Sequence, residues 1–144
     1  DQQNFMREAL KEANKAHEID EVPIGAVVTL NNEIIGRGFN SVIKQNDPTC
    51  HAEIVAIRAA GQYLNNYRLP HAHLYVTLEP CVMCGGALYW SQIDKIVFAA
   101  ADEKRGAGKV GELYHPKTKV VSGILQDECS TLLKRFFIEK RNLN

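Results

Sequence analysis

The alternation of short apolar runs with helical stripes limits the folds open to this chain more than any other feature. Residues 4–19 place Phe5, Ala9, Leu10, Ala13 and Ala16 at helical spacing, with Arg7, Glu8, Lys11, Glu12 and Lys15 outside. Pro23 closes that segment. Residues 24–30 and 33–39 read as strands either side of Asn31-Asn32, a pair that tolerates positive φ and suits a two-residue hairpin. A helix over 51–62, a strand over 74–78, a helix over 81–91 and a strand over 95–100 follow. A loop rich in glycine and lysine covers 102–119, Val120-Val121 forms a short last strand, and 126–141 closes the chain as a helix. This order predicts an α/β protein with a single mixed sheet and helices on both faces. The 144 residues, 45% hydrophobic and 24% charged, fit one domain over 1–144, without repeat or linker. No apolar run approaches the ~18–20 residues of a membrane span, and the start carries no export signal, so a cytoplasmic location is expected.

Two short segments carry the chemistry, His51-Ala52-Glu53 and Pro80-Cys81-Val82-Met83-Cys84. Zinc takes imidazole nitrogen and thiolate sulfur, and a catalytic site uses three protein ligands while keeping a position for water. Cys81 and Cys84, three apart at a predicted helix start, share a face, and the helix N-terminus favours their thiolates. His51 opens the earlier helix, where the dipole disfavours imidazolium and keeps the ring available as a neutral ligand. Glu53 lies about 200° round a regular helix from His51, so it is read as an acid beside the metal rather than a ligand. Alone, Cys81-x-x-Cys84 would also fit dithiol redox chemistry, but it follows Glu79-Pro80 late in the chain rather than a first strand. A structural zinc would need a fourth ligand. The nearest, Cys50, adjoins His51 and projects about 100° away from it. Together the halves match H-x-E…P-C-x-x-C, the signature of zinc-dependent nucleobase deaminases.

The resemblance extends beyond the signature, to 21–27, to Asn46-Asp47-Pro48-Thr49, to 74–80, and to Ala101-Asp102, His115-Pro116, Gly123-Ile124-Leu125 and Arg135-Phe136-Phe137. On these residues the chain resembles the bacterial tRNA-specific adenosine deaminase family, within the cytidine/deoxycytidylate deaminase superfamily. That resemblance implies a three-layer α/β/α sandwich around a five-stranded mixed sheet, working as a homodimer. It also implies one Zn²⁺ per subunit and hydrolysis of adenosine to inosine at the wobble position of a tRNA anticodon. The implied roles are zinc ligation by His51, Cys81 and Cys84, with Glu53 as proton shuttle between water, the ring nitrogen and the leaving amine. Asn40 would hydrogen-bond the nucleoside, the backbone at Ala52 and Pro80 would line the pocket, and Asp102 would contact substrate. Cys50 departs from the family, where alanine is common, and reads as a small buried filler. Two other readings share the signature: a small-base deaminase acting on guanine or cytosine, and a non-catalytic zinc-containing RNA-binding subunit. The first would need a tail covering the pocket, whereas this tail is basic; the second has no use for Glu53.

Gly106-Ala107-Gly108-Lys109-Val110-Gly111 fits G-x-G-x-x-G, but no βαβ pattern surrounds it and Pro116 interrupts any following helix. Its glycines suit a basic loop approaching phosphate through Lys104, Arg105 and Lys109, or a solvated flexible loop. Tyr89 and Trp90 are expected in the core or in a dimer interface, and one of Phe136 and Phe137 is expected to be buried. Seventeen basic and seventeen acidic residues cancel, which argues against an indiscriminate polyanion binder. The balance is uneven along the chain. Residues 1–103 hold eight basic and thirteen acidic side chains, while residues 104–144 hold nine and four. The last third therefore suits a local RNA footprint.

Overall fold

A computed structural model describes residues 1–142. Helix α1 (Gln2–Glu18) starts on Asp1, whose side chain accepts the Asn4 N–H at 2.9 Å, and buries Met6, Ala9, Ala13 and Ala16. Strands β1 (Gly25–Leu30) and β2 (Glu33–Phe39) form the expected hairpin, with Asn31 and Asn32 at φ of 52° and 64°. Helix α3 (Ala52–Leu64), β3 (His73–Leu78), α4 (Val82–Ser91), β4 (Lys95–Ala100), β5 (Lys119–Ser122) and α5 (Gln126–Asn142) complete the predicted order. The pattern did not anticipate two short elements, the one-turn helix α2 (Val42–Gln45) and a 3-10 turn at Ala107–Lys109. Neither is long enough to show a periodicity. Among the described residues no helix is long and apolar enough to cross a membrane.

The sheet runs β2-β1-β3-β4-β5, antiparallel at β2/β1 and β1/β3 and parallel at β3/β4 and β4/β5. Two apolar layers cover it. One packs Ala52, Ala56, Ala60 and Leu88 of α3 and α4 on Ala26, Val28, Leu74, Val76, Ile96 and Phe98. The other packs Met6 and Ala9 of α1 and Cys129 of α5 on Val27, Tyr75 and Val97. Alternate residues of one strand thus feed opposite layers, as a sheet buried on both faces requires. The molecule is a three-layer α/β/α sandwich.

Close approach of helix to sheet depends on missing side chains. A Cβ on Gly36 would lie 2.4 Å from the Ala56 carbonyl oxygen, and one on Gly38 would lie 2.4 Å from that of Ala52. Alanines on α3 complete the fit, so its first turn is pressed against β2 near the C-terminal ends of β3 and β4. Parallel strands leave their crevice at that end.

Candidate active site

Two helix N-termini meet there. His51 is the N-cap residue of α3 and Cys81 that of α4, both with extended backbone and neither using its side chain as a cap. Those side chains are therefore free to face each other across the gap. The His51 Nδ1 atom lies 3.6 Å from both Cys81 Sγ and Cys84 Sγ, and the three donor atoms lie within 4.8 Å of one another. Tetrahedral zinc, with Zn–S of ~2.3 Å and Zn–N of ~2.0–2.1 Å, sets nitrogen and sulfur donors about 3.6 Å apart. The geometry fits one zinc ion held by these three residues.

The protonation of these groups follows from the same packing. The Cys81 thiol is held down to about 3, first by a hydrogen bond from Cys84 and then by His51. Cys84 is pushed up by that bond and by its burial. His51 is raised, chiefly by its hydrogen bond to Cys81. Metal binding displaces these protons, because thiolate and neutral imidazole are the ligating forms.

Glu53, in the first turn of α3, is only 4% exposed. Burial pushes its carboxyl up to about 7, opposed by its own backbone N–H and a hydrogen bond from Cys84. An acid next to the ligand cluster and close to neutrality can take up and release a proton at physiological pH.

The remaining sequence-predicted residues lie around this cluster in different ways. Asn40 is buried, and its Oδ1 accepts the Ala52 N–H at 2.8 Å, capping α3 in place of His51. The Pro80 carbonyl accepts the Ala107 N–H at 2.8 Å. The Ala52 N–H and the Pro80 carbonyl are thus both engaged within the chain. Asp102 Oδ1 accepts the N–H groups of Lys104 and Arg105 at 3.1 and 3.0 Å, which shapes the loop. Lys104, Arg105 and Lys109 line a groove of about 340 Å³ with Cys81, Val82, Met83 and Val110, so the basic loop does flank a ligand. Cys50 is a buried filler whose Sγ lies 3.4 Å from Asp47 Oδ2. Phe136 is buried and Phe137 half exposed, as expected of adjacent aromatics. Trp90, at 71% exposure, is not a core residue.

Three residues had no role assigned from the sequence. The buried Glu21 carboxylate accepts the N–H groups of Ile43 and Lys44 at 3.2 and 2.7 Å, anchoring α2 beside Asn40. Glu79 binds the 102–108 loop. Tyr114 buries a hydroxyl without a partner among the described residues, within electrostatic reach of Glu79, Glu53, Cys84 and Cys81. An acid before the Pro-Cys pair and two glycines in the facing loop were the available signal for Glu79. Nothing comparable marked Glu21 or Tyr114.

Residues 1–100 match the family model for the cytidine and deoxycytidylate deaminase zinc-binding region. A tRNA-specific adenosine deaminase of Haemophilus influenzae is 45% identical, over 96% of this chain and 84% of its own. A solved structure from work on A-to-I editing by tRNA deaminases at the wobble position is 43% identical, with a TM-score of 0.86 over 90% of this chain and 99% of that one. A guanine deaminase from Nitrosomonas europaea is 27% identical, with a TM-score of 0.82 over 93% and 83% of the two chains.

Proposed function

This chain belongs to the zinc-dependent cytidine and deoxycytidylate deaminase family, and from that premise we propose that it deaminates adenosine to inosine at the wobble position of a tRNA anticodon. The observation that carries this reading is the pairing of a His51–Cys81–Cys84 donor triangle and adjacent buried Glu53 with near-full-length similarity to tRNA-specific adenosine deaminases. The whole of 1–144 acts as one deaminase domain. Its tRNA substrate and unpaired thiols suit a cytoplasmic location.

His51, Cys81 and Cys84 hold the zinc, which when bound supplies Lewis-acid chemistry that makes water a nucleophile at neutral pH. The chain's own residues do the rest. Glu53 takes a proton from the attacking water as the new C6–O bond forms, and delivers it to N1 of the base. It then carries the remaining proton of that water, from the oxygen now on C6, to N6, so that the C6=O bond forms as the C6–N6 bond breaks with neutral ammonia as leaving group. Asn40, with Oδ1 committed to α3, offers its Nδ2–H₂ group to the nucleoside. Asp102, Lys104 and Arg105 flank the bound loop, the two cations facing its phosphates. A base in an anticodon loop is already unpaired, which lowers the cost of turning it into the pocket.

The enzyme works as a homodimer. Between α3 and α4 runs an open groove of about 740 Å³ lined by Ile54, Ile57, Tyr67, Ala87 and Trp90 among others. Tyr67 and Trp90 are more than 70% exposed there, and a patch of exposed aromatics of this kind marks an interface.

The deciding experiment offers zinc-loaded protein an arginine-tRNA anticodon stem-loop, with free guanine and cytosine in parallel. Inosine in the stem-loop is the expected product. Turnover of a free base with the RNA untouched would establish the small-base reading, for which the guanine deaminase fold is the precedent.

A further inference from the structure

Glu79 has no part in the chemistry above, yet both oxygens of its carboxylate are bound by the loop after β4. The Asp102 N–H donates to Oε1 and the Gly108 N–H to Oε2, each at 3.0 Å. The loop folds closely round this anion. A Cβ on Gly106 would lie 2.3 Å from Oε1, and one on Gly108 would lie 2.9 Å from Oε2. The G-x-G of 106–108 therefore brings backbone up to the chain's own carboxylate, where a dinucleotide fingerprint would bring it to a phosphate. Both ends of the arrangement are anchored. Gly106 pairs with Cys81 in an isolated β-bridge, and the Ala107 N–H is held by the Pro80 carbonyl at 2.8 Å. The cations of the loop, Lys104, Arg105 and Lys109, line the groove beside Cys81, with Asp102 and Glu103 as the loop's opposing charges.

We propose that Glu79 is a positioning residue: it clamps the 102–109 loop against the start of α4 and thereby sets affinity for the RNA backbone, without touching substrate. Hydrogen bonds to an ionised acceptor are roughly twice as strong as neutral ones, so one carboxylate holding two backbone amides is an effective clamp. The proposal rests on the RNA-substrate reading given above.

The test is Glu79→Gln, which keeps the side chain's size but turns one acceptor oxygen into an NH₂ group, so that it can no longer accept from both Asp102 and Gly108. KM for the anticodon stem-loop rises about tenfold, the worth of one charge-assisted hydrogen bond. The kcat stays within about twofold and zinc content is unchanged, as expected when only uniform binding is lost. Hydrogen exchange accelerates at the Asp102 or the Gly108 amide, whichever loses its acceptor. Gly106→Ala, which attacks the clamp from the loop side, gives the same rise in KM, and the double variant adds little to either. An unchanged KM, or a fall in kcat together with loss of zinc, overturns the proposal. So does unaltered exchange at both the Asp102 and the Gly108 amides. Wild-type protein inert towards the stem-loop would overturn the functional reading and the RNA part of the proposal, whereas faster exchange at the Asp102 or Gly108 amide in Glu79→Gln would still support the clamp.

Discussion

Glu53 sits where a carboxylate is costly to hold, in the first turn of a packed helix and 4% exposed. Its closeness to the donor triangle gives that burial a chemical use. Glu53→Gln preserves volume and removes the proposed proton carrier, so kcat should fall by about 10²–10⁴. Zinc bound per chain should stay unchanged, as read by elemental analysis beside a nucleoside assay. Tyr114 is the converse case, a buried hydroxyl with no partner among the described residues. Leaving such a group unsatisfied costs about 1–3 kcal/mol. Tyr114→Phe should therefore raise stability by about 1 kcal/mol in urea unfolding, with turnover retained.

Elements reach the site through close packing at their ends. The Gly38→Ala side chain would meet the Ala52 carbonyl oxygen at 2.4 Å, at the start of the helix that carries His51 and Glu53. Overpacking of this kind costs about 1–3 kcal/mol. Calorimetry should show the loss, and zinc affinity should weaken as the first turn of α3, which follows His51, is displaced from β2. On the opposite layer, Arg37 of β2 ties to α1 through Glu8 at 2.8 Å and Glu12 at 3.3 Å. Glu8 is held below its ordinary value of 4.5, first by Lys11 and then by Arg37. A carboxylate depressed in the folded state stabilises above its unfolded value, and that contribution is lost as pH falls through the lower folded one. Glu8→Gln should flatten the acid limb of stability below pH ~4.5 while costing a fraction of a kcal/mol near neutrality, since the pair is partly exposed. The main elements were legible because each repeats a period of two or 3.6 residues over several turns or pleats. The one-turn α2 and the 3-10 turn were not legible, because tertiary hydrogen bonds hold them. Glu21 supports α2, and the Pro80 carbonyl and Glu79 carboxylate support the 3-10 turn and its flanks.

Across the whole molecule, the exposed aromatic groove between α3 and α4 is the surface on which the proposed homodimer rests. On the proposed homodimer, Trp90→Glu should give a monomer in sedimentation velocity where the unaltered chain gives a dimer, leaving far-UV circular dichroism unchanged because the indole is mostly exposed. The sequence by itself determined the layer order and the donor set. Both are written in local spacing, apolar period for the elements and H-x-E with C-x-x-C for the ligands. It also located the net positive charge in the last third of the chain. Only the tertiary structure decided how those parts meet. The C-terminal ends of β2 and β3, set at the same end of the sheet either side of β1, bring two helix N-termini together, so that His51 Nδ1 stands 3.6 Å from both sulfurs although 30 positions of chain separate it from Cys81. The fold likewise gave Gly106 and Gly108 their task, wrapping Glu79, because a glycine's need for space is set by what approaches it and not by its neighbours in sequence.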